Sequence, residues 1–277
     1  MALRITTLCD NTSRIGDFLG EWGLSVLVEI DGVKVLLDAG KGPSAPYNAD
    51  TLGIDLRNVD RIVLSHAHFD HTGGLAGVLR RMRKKVEVIA HPDVWQAKYS
   101  RSRDGTERYV GIPTSRSELE GLGARFTLTT GPVTITPEIT TLGEVPMVTD
   151  YEQIDSSLVV RDGGGLRPDP VLDDRGLAIK TPAGLVVVLG CAHRGLINSL
   201  YHARELTGED RVHAVIGGAH LMGTSPERLE RTVAALRELD VQRMGLCHCT
   251  DLPAAARLYH EFGDRFFFNR AGLSIEL

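Results

Sequence analysis

The apolar segment Ile62-Val63-Leu64 runs, with only Ser65 between, into His66-Ala67-His68-Phe69-Asp70-His71. Three imidazoles and a carboxylate inside six consecutive residues carry a heavy desolvation cost beside a core strand unless a shared partner holds them. The chain therefore has to fold with a buried strand ending at a site that accepts ligands. Side chains alternate along a strand, which points His66 and His68 the same way and lets Asp70 and His71 turn inward once the chain leaves the sheet. Neutral imidazole and carboxylate are what zinc, iron and manganese accept, and these four groups serve as candidate metal ligands for one or two ions. Thr72-Gly73-Gly74-Leu75 then opens an amphipathic segment, so the cluster lies at a strand-to-helix junction, where sites are commonly built.

Ahead of that junction the chain reads as short strands, Leu3 to Leu8, Leu24 to Ile30 and Val33 to Leu37. The last two are joined by Asp31-Gly32, a strong hairpin signal. After it the pattern predicts a helix over 75–84, a strand over 86–90 and a helix over 92–99. Residues 100–175, rich in Gly, Pro, Thr and Asp, read as a loop-rich insert covering the site, with short strands near 125–128, 133–135 and 158–161. The second half repeats the rhythm. Leu177 to Thr181 and Leu185 to Leu189 read as a hairpin, 195–206 as a helix, 212–216 and 244–247 as strands and 253–262 as a helix. Ser225 before Pro226 is an N-cap with proline at the first helical position, and Leu229, Val233, Leu236 and Leu239 lay an apolar stripe along that helix. Two mixed β/α halves of similar size, with no Pro- or Ser-rich linker, predict a single α/β domain over 1–277: a four-layer αββα sandwich of two mixed β-sheets flanked by helices.

Composition narrows the partners. With 42% apolar and 24% charged residues the chain can bury a sizeable core. A formal net charge of −5 and only 5% aromatic residues argue against nucleic acid as a partner. No apolar run approaches the ~20 residues that span a bilayer, and Met1 to Leu8 lacks a basic-then-apolar signal pattern. A cytoplasmic protein without a membrane partner, acting on a small molecule, is expected; the oligomeric state is left open. Cys9, Cys191, Cys247 and Cys249 are too few and too clustered for a disulfide framework and read as reduced thiols.

One strand end cannot close a metal site, and the chain has ten histidines to draw on. His193 follows the apolar run Leu185 to Leu189 and precedes a helix start, repeating the setting of His66, and is a candidate ligand. His248 ends the strand 244–247; if it shares a face with Leu246, then Cys247 and Cys249 take the other, and one of the two sets faces the site. His220, after Gly217-Gly218-Ala219, is a candidate for substrate contact or for supporting a ligand, since the glycines admit close approach. His91 ends a strand and reads mainly as a cap. His202, His213 and His260 lack polar company. Asp38 is expected to orient a ligand histidine rather than bind metal, because ligating imidazoles commonly donate their second N–H to a carboxylate.

His66, His68, Asp70 and His71 in the pattern His-x-His-x-Asp-His resemble the signature of the metallo-β-lactamase superfamily, and Asp38-Ala39-Gly40 is similar to its Asp-Thr-Gly turn. Ser65 to Leu75, Leu189-Gly190-Cys191-Ala192-His193-Arg194-Gly195, Ile216 to Leu221 and Cys247-His248-Cys249-Thr250 together resemble one branch, the 7,8-dihydropterin-6-ylmethyl-4-(β-D-ribofuranosyl)aminobenzene-5'-phosphate synthases. The resemblance implies the four-layer fold named above and His248 as a closing ligand. The candidate residues allow two metal positions, one using His66, His68 and His193, the other Asp70, His71 and His248, with a single metal or one weak position as the alternative. This chain departs from the superfamily where a bridging aspartate is expected, at Gly190-Cys191, and where an imidazole is expected, at Asp173-Asp174. Either Cys191 contributes sulfur, favouring zinc, or His193 closes the site and Asp173 or Asp174 supplies oxygen.

Such a ligand set suits hydrolysis of a phosphorylated or otherwise anionic small molecule by activated water, with Asp70 accepting its proton. One or two divalent ions are implied, zinc first and manganese, iron or magnesium after it. Arg175 and Arg194 are candidates to pair with the anion. The branch implies a different reaction as the alternative, a pterin transfer that releases pyrophosphate.

Overall fold

The computed structural model describes residues 2–277. In chain order these form β1 (Leu3–Cys9), β2 (Ser25–Ile30), β3 (Val33–Leu37), α1 (Ser44–Thr51), β4 (Arg61–Val63), α2 (Phe69–Thr72), α3 (Leu75–Met82), β5 (Val86–Ala90), β6 (Ala97–Arg101), β7 (Glu107–Tyr109) and α4 (Arg116–Gly121). There follow β8 (Ala124–Leu128), β9 (Ile139–Thr141), β10 (Leu158–Asp162), β11 (Gly165–Pro168), β12 (Gly176–Thr181) and β13 (Gly184–Leu189). The chain closes with α5 (Leu196–Thr207), β14 (Val212–Gly218), α6 (Pro226–Glu238), β15 (Arg243–Cys247), α7 (Leu252–Phe262) and β16 (Ser274–Glu276). Two compact units divide them: the residues up to Thr130 with Ile154–Asp173 and Arg270–Leu277, and Gly131–Gln153 with Asp174–Asn269.

The first unit holds a seven-stranded mixed sheet in the order β16-β1-β2-β3-β4-β5-β8. Asp31 and Gly32 both take positive φ, 47° and 87°, which is the twist a two-residue hairpin needs between Ile30 and Val33. Strands β3, β4, β5 and β8 then run parallel, so their carboxyl ends share one edge. Leu27, Leu36, Ile62, Leu75, Leu79 and Val88 belong to this unit's apolar core. A smaller antiparallel sheet, β11-β10-β6-β7, takes β7 and β11 from stretches read as loop, whereas β10 answers to the strand expected near 158–161.

The second unit carries a five-stranded sheet, β15-β14-β13-β12-β9, with β13, β14 and β15 parallel. Its own core includes Val187, Leu189, Leu200, Val215, Leu236 and Met244. Ser225 accepts from Arg228 N–H and caps α6 with Pro226 at its start, as the sequence predicts. At the start of α5 the buried Glu152 carboxylate accepts from Ile197 N–H at 2.9 Å and Asn198 N–H at 2.8 Å, meeting donors that a helix cannot satisfy itself. Burial raises the Glu152 carboxyl, against these hydrogen bonds.

Two expected elements differ. The helix over 92–99 is a single 3-10 turn, Pro92–Trp95, followed by β6, because residues 97–100 pair with β10 and tertiary pairing outweighs local periodicity. Val133 to Ile135 forms only an isolated bridge, Thr134 to Thr140. No helix is long and apolar enough to cross a membrane among the described residues.

Candidate metal centre

In the first unit, Asp38 sits just past β3 with φ 60°, an uncommon conformation for a residue with a side chain. Held there, its Oδ1 accepts from Ser65 N–H at 2.7 Å, and its Oδ2 accepts from Ser65 Oγ at 2.6 Å and from His71 Nδ1 at 2.7 Å. That network assigns the proton of His71 to Nδ1 and leaves Nε2 as a lone pair. Ser65 Oγ also stands 2.9 Å from His66 Nδ1; having given its own proton to Asp38, it accepts from His66, whose Nε2 is likewise left basic. Asp38 thus orients two rings, one directly and one through Ser65.

His66 Nε2 and His68 Nδ1 stand 3.0 Å apart, and the His66 ring centroid lies 4.5 Å from that of His68 and 4.2 Å from that of His71. Two nitrogens on one ion at 2.0–2.1 Å with tetrahedral angles would be about 3.3 Å apart, so the donor set fits a divalent metal. Burial, the largest effect, lowers the His68 imidazole to about 4, against the charges of Asp70 and Asp173, which keeps it neutral and able to ligate. Asp70 is 8% exposed and its backbone carbonyl accepts from Leu24 N–H. Gly74 has no room for a Cβ, which would fall 2.1 Å from the Ala39 carbonyl. Its missing side chain lets the helical segment after the ligand run press against the Asp38-Ala39-Gly40 turn.

Asp173 has other partners: its carboxylate accepts from Ala67 N–H at 2.8 Å and Lys98 Nζ at 2.9 Å. Lys98, 1% exposed, also reaches Asp169 at 2.8 Å. Burial favours the neutral forms, but the charges outweigh it, so Lys98 is raised and Asp173 lowered from their ordinary values.

The second unit gathers its candidates at the carboxyl edge of three parallel strands. His193 follows β13, His220 follows β14 and His248 follows β15. The strand alternation does not carry through His248, because His248–Thr250 is a 3-10 turn. Cys191, His248 and Cys249 consequently come together, their ligand atoms all within 4.8 Å of one another. The rings of His193 and His220 are 4.2 Å apart, and Cys249 Sγ accepts from His220 N–H at 3.3 Å. A Cβ on Gly217 would lie 2.0 Å from the Leu189 carbonyl, so glycine is what lets β14 close on β13 there. Asp174 accepts from Arg194 N–H at 2.9 Å. Arg194 Nε donates to the Val145 carbonyl at 2.5 Å, and Arg175 is 2% exposed. All four cysteines are buried thiols outside any disulfide.

Ala192, His220 and His248 take φ of 54°, 43° and 54°. Positive φ at non-glycine residues costs energy and gathers at functional sites. Neither this nor the bridging role of Ser65 has a signature in the sequence; the Lys98 cluster has only a lone lysine in an apolar-polar run to announce it.

A strand-end His/Asp cluster with a carboxylate behind it marks an α/β protein with residues that could hold a metal ion. The metallo-β-lactamase superfamily model matches residues 23–197, and the chain belongs to that superfamily. It is 33% identical, over 99% of its length and 96% of the relative's, to the 7,8-dihydropterin-6-methyl-4-(β-D-ribofuranosyl)-aminobenzene-5'-phosphate synthase of Methanocaldococcus jannaschii. A crystal structure described as a metal-dependent hydrolase of the β-lactamase superfamily is 33% identical and superposes with a TM-score of 0.85, covering 99% of both chains. Zinc-bound PqqB from Methylobacterium extorquens, at 13% identity and a TM-score of 0.57 over 99% of this chain and 100% of its own, shares the fold.

Proposed function

We propose that this chain is a metal-dependent hydrolase of a phosphorylated or otherwise anionic small molecule. In this reading the metal ligands are His66, His68, Asp70 and His71 in the first unit and His193 and His248 in the second. The observation that carries it is the Asp38-Ser65 network, which orients the His66 and His71 rings through Nδ1 and turns Nε2 of each toward the ligand cluster as a basic nitrogen. Support for His193 and His248 comes from their placement at the carboxyl ends of parallel strands, the edge at which open α/β sheets bind ligands. Cys191 and Asp174 are further candidates; Asp173 is more fully committed to Lys98 and Ala67. Bound zinc, or manganese, iron or magnesium in its place, would supply Lewis acidity toward a phosphoryl or ester oxygen and make water acidic near neutral pH. Asp70 would take the proton of the attacking water, and His220, beside His193, would contact the substrate.

The synthase relative supports a second reading, transfer of a pterin to an aminobenzene acceptor with release of pyrophosphate. Metal analysis combined with assays on phosphodiesters, phosphomonoesters and lactones separates the two. Metal-dependent turnover of a simple ester, with the maximal rate lowered in Asp70→Asn, is expected. Pyrophosphate release that depends strictly on the acceptor, with no ester turned over, would establish the transferase instead.

A further inference from the structure

Phe69 lies inside the ligand run, between His68 and Asp70, and two cations reach its ring. Arg108 Cζ stands 5.0 Å from the ring centroid and Lys41 Nζ stands 5.6 Å from it. Both come from segments tied to the ligand run: Phe69 N–H donates to the Val110 carbonyl at 2.9 Å, and Gly74 N–H donates to the Gly40 carbonyl at 2.9 Å. The β6–β7 ladder aligns Ser100 with Arg108 and Tyr99 with Tyr109. Alternation then places Lys98, Ser100 and Arg108 on one face, with the Tyr99 and Tyr109 rings meeting on the other at 5.5 Å.

The two cations on that face are used differently. Lys98 is buried and neutralised by Asp169 and Asp173. Arg108 is exposed, as is Lys41, and neither is salt-bridged to a carboxylate among the described residues. Nearby arginines of the same unit are: Arg116 pairs with Glu120, Arg161 with Glu107 and Arg167 with Asp162. An aromatic ring orders a cationic head without cancelling its charge. A guanidinium fork matches two phosphoryl oxygens, and an ammonium adds a point charge.

We propose that Lys41 and Arg108, ordered by Phe69, bind the phosphoryl group of a small phosphorylated substrate. This rests on the reading of an anionic substrate and deepens it by naming the residues that select the anion. The test is calorimetric titration of the metal-loaded protein with inorganic pyrophosphate, at several salt concentrations. Lys41→Ala and Arg108→Ala are each expected to weaken binding roughly tenfold to a hundredfold, since a hydrogen bond to a charged group is at stake. The double variant should show a shallower salt dependence. Arg108→Lys, which keeps charge but loses the fork, should fall between wild type and Arg108→Ala, and Arg116→Ala should bind as wild type. Metal content and far-UV dichroism should not change. Wild-type pyrophosphate affinity in both alanine variants overturns the inference, whatever the enzyme turns over. Affinity that depends on Lys41 and Arg108 while no ester is hydrolysed would leave it standing and sink the hydrolase reading. Tighter binding of a single-stranded oligonucleotide through the same two side chains would overturn assignment to a small substrate.

Discussion

At the scale of the residue, Asp38 does the most with the least. Its carboxylate is fully buried, yet three donors surround it, the Ser65 N–H and hydroxyl and the His71 ring, so its charge is solvated by the protein. Asp38→Asn should weaken metal binding by about ten- to hundredfold, because it exchanges a charged acceptor for an amide that has to turn a donor toward His71 or Ser65. Chelator competition measures this, and unchanged metal affinity would show that the carboxylate is not needed to hold the rings. His68→Ala should abolish binding at that position while leaving cooperative unfolding intact, read by elemental analysis beside a thermal melt. His66, His68, Asp70 and His71 were legible as candidate ligands because they lie within one short run. Cys249 was not legible as their counterpart in the second unit, because its approach to Cys191 depends on the chain leaving β15 as a 3-10 turn.

At the scale of the element, the small sheet is fastened through Lys98. Replacing Lys98 with Met would strand two buried carboxylates and should cost about 3–5 kcal/mol of stability at neutral pH. The sign with pH follows from Asp173, whose folded value is lowered by Lys98 against burial. In wild type its contribution is present above the ordinary carboxylate range and is lost as pH falls through the lowered folded value. In Lys98→Met the stranded acids take protons readily, so the stability gap between the two proteins should narrow below about pH 4. Denaturant melts from pH 7 to pH 3 check it; a gap constant with pH would mean that packing, not charge, is what Lys98 supplies. The same element shows where pattern reading stops. Residues 97–101 have no long apolar alternation, and what makes them a strand is pairing with Leu158 to Arg161, some sixty positions on. The strand β13, by contrast, announces itself as a near-continuous Val and Leu run buried along its whole length, as strands covered on both faces do.

At the scale of the whole molecule, each unit carries its own apolar core, so folding does not wait on an ion as it does in a small zinc finger. Stripping the metal with a chelator should lower the melting temperature moderately and leave a cooperative transition, with stability recovering as free metal is restored. A broad, non-cooperative melt of the stripped protein would contradict this. The superfamily and its α/β class were legible from motif and rhythm together, since strand-end ligands and parallel β/α order require one another; the small antiparallel sheet was hidden in a Gly- and Pro-rich stretch. The Glu152 contact with the start of α5 has a consequence for what the molecule can recognise. Amino ends of helices serve many enzymes as ready receptors for phosphate, and α5 opens immediately after His193, Arg194 and Gly195. Here the receptor already holds an internal tenant: the Glu152 carboxylate mimics the guest, and Gly195 has no space for a Cβ, which would lie 2.2 Å from Glu152 Oε2. Any phosphate this protein selects has to be greeted by side chains rather than by that helix.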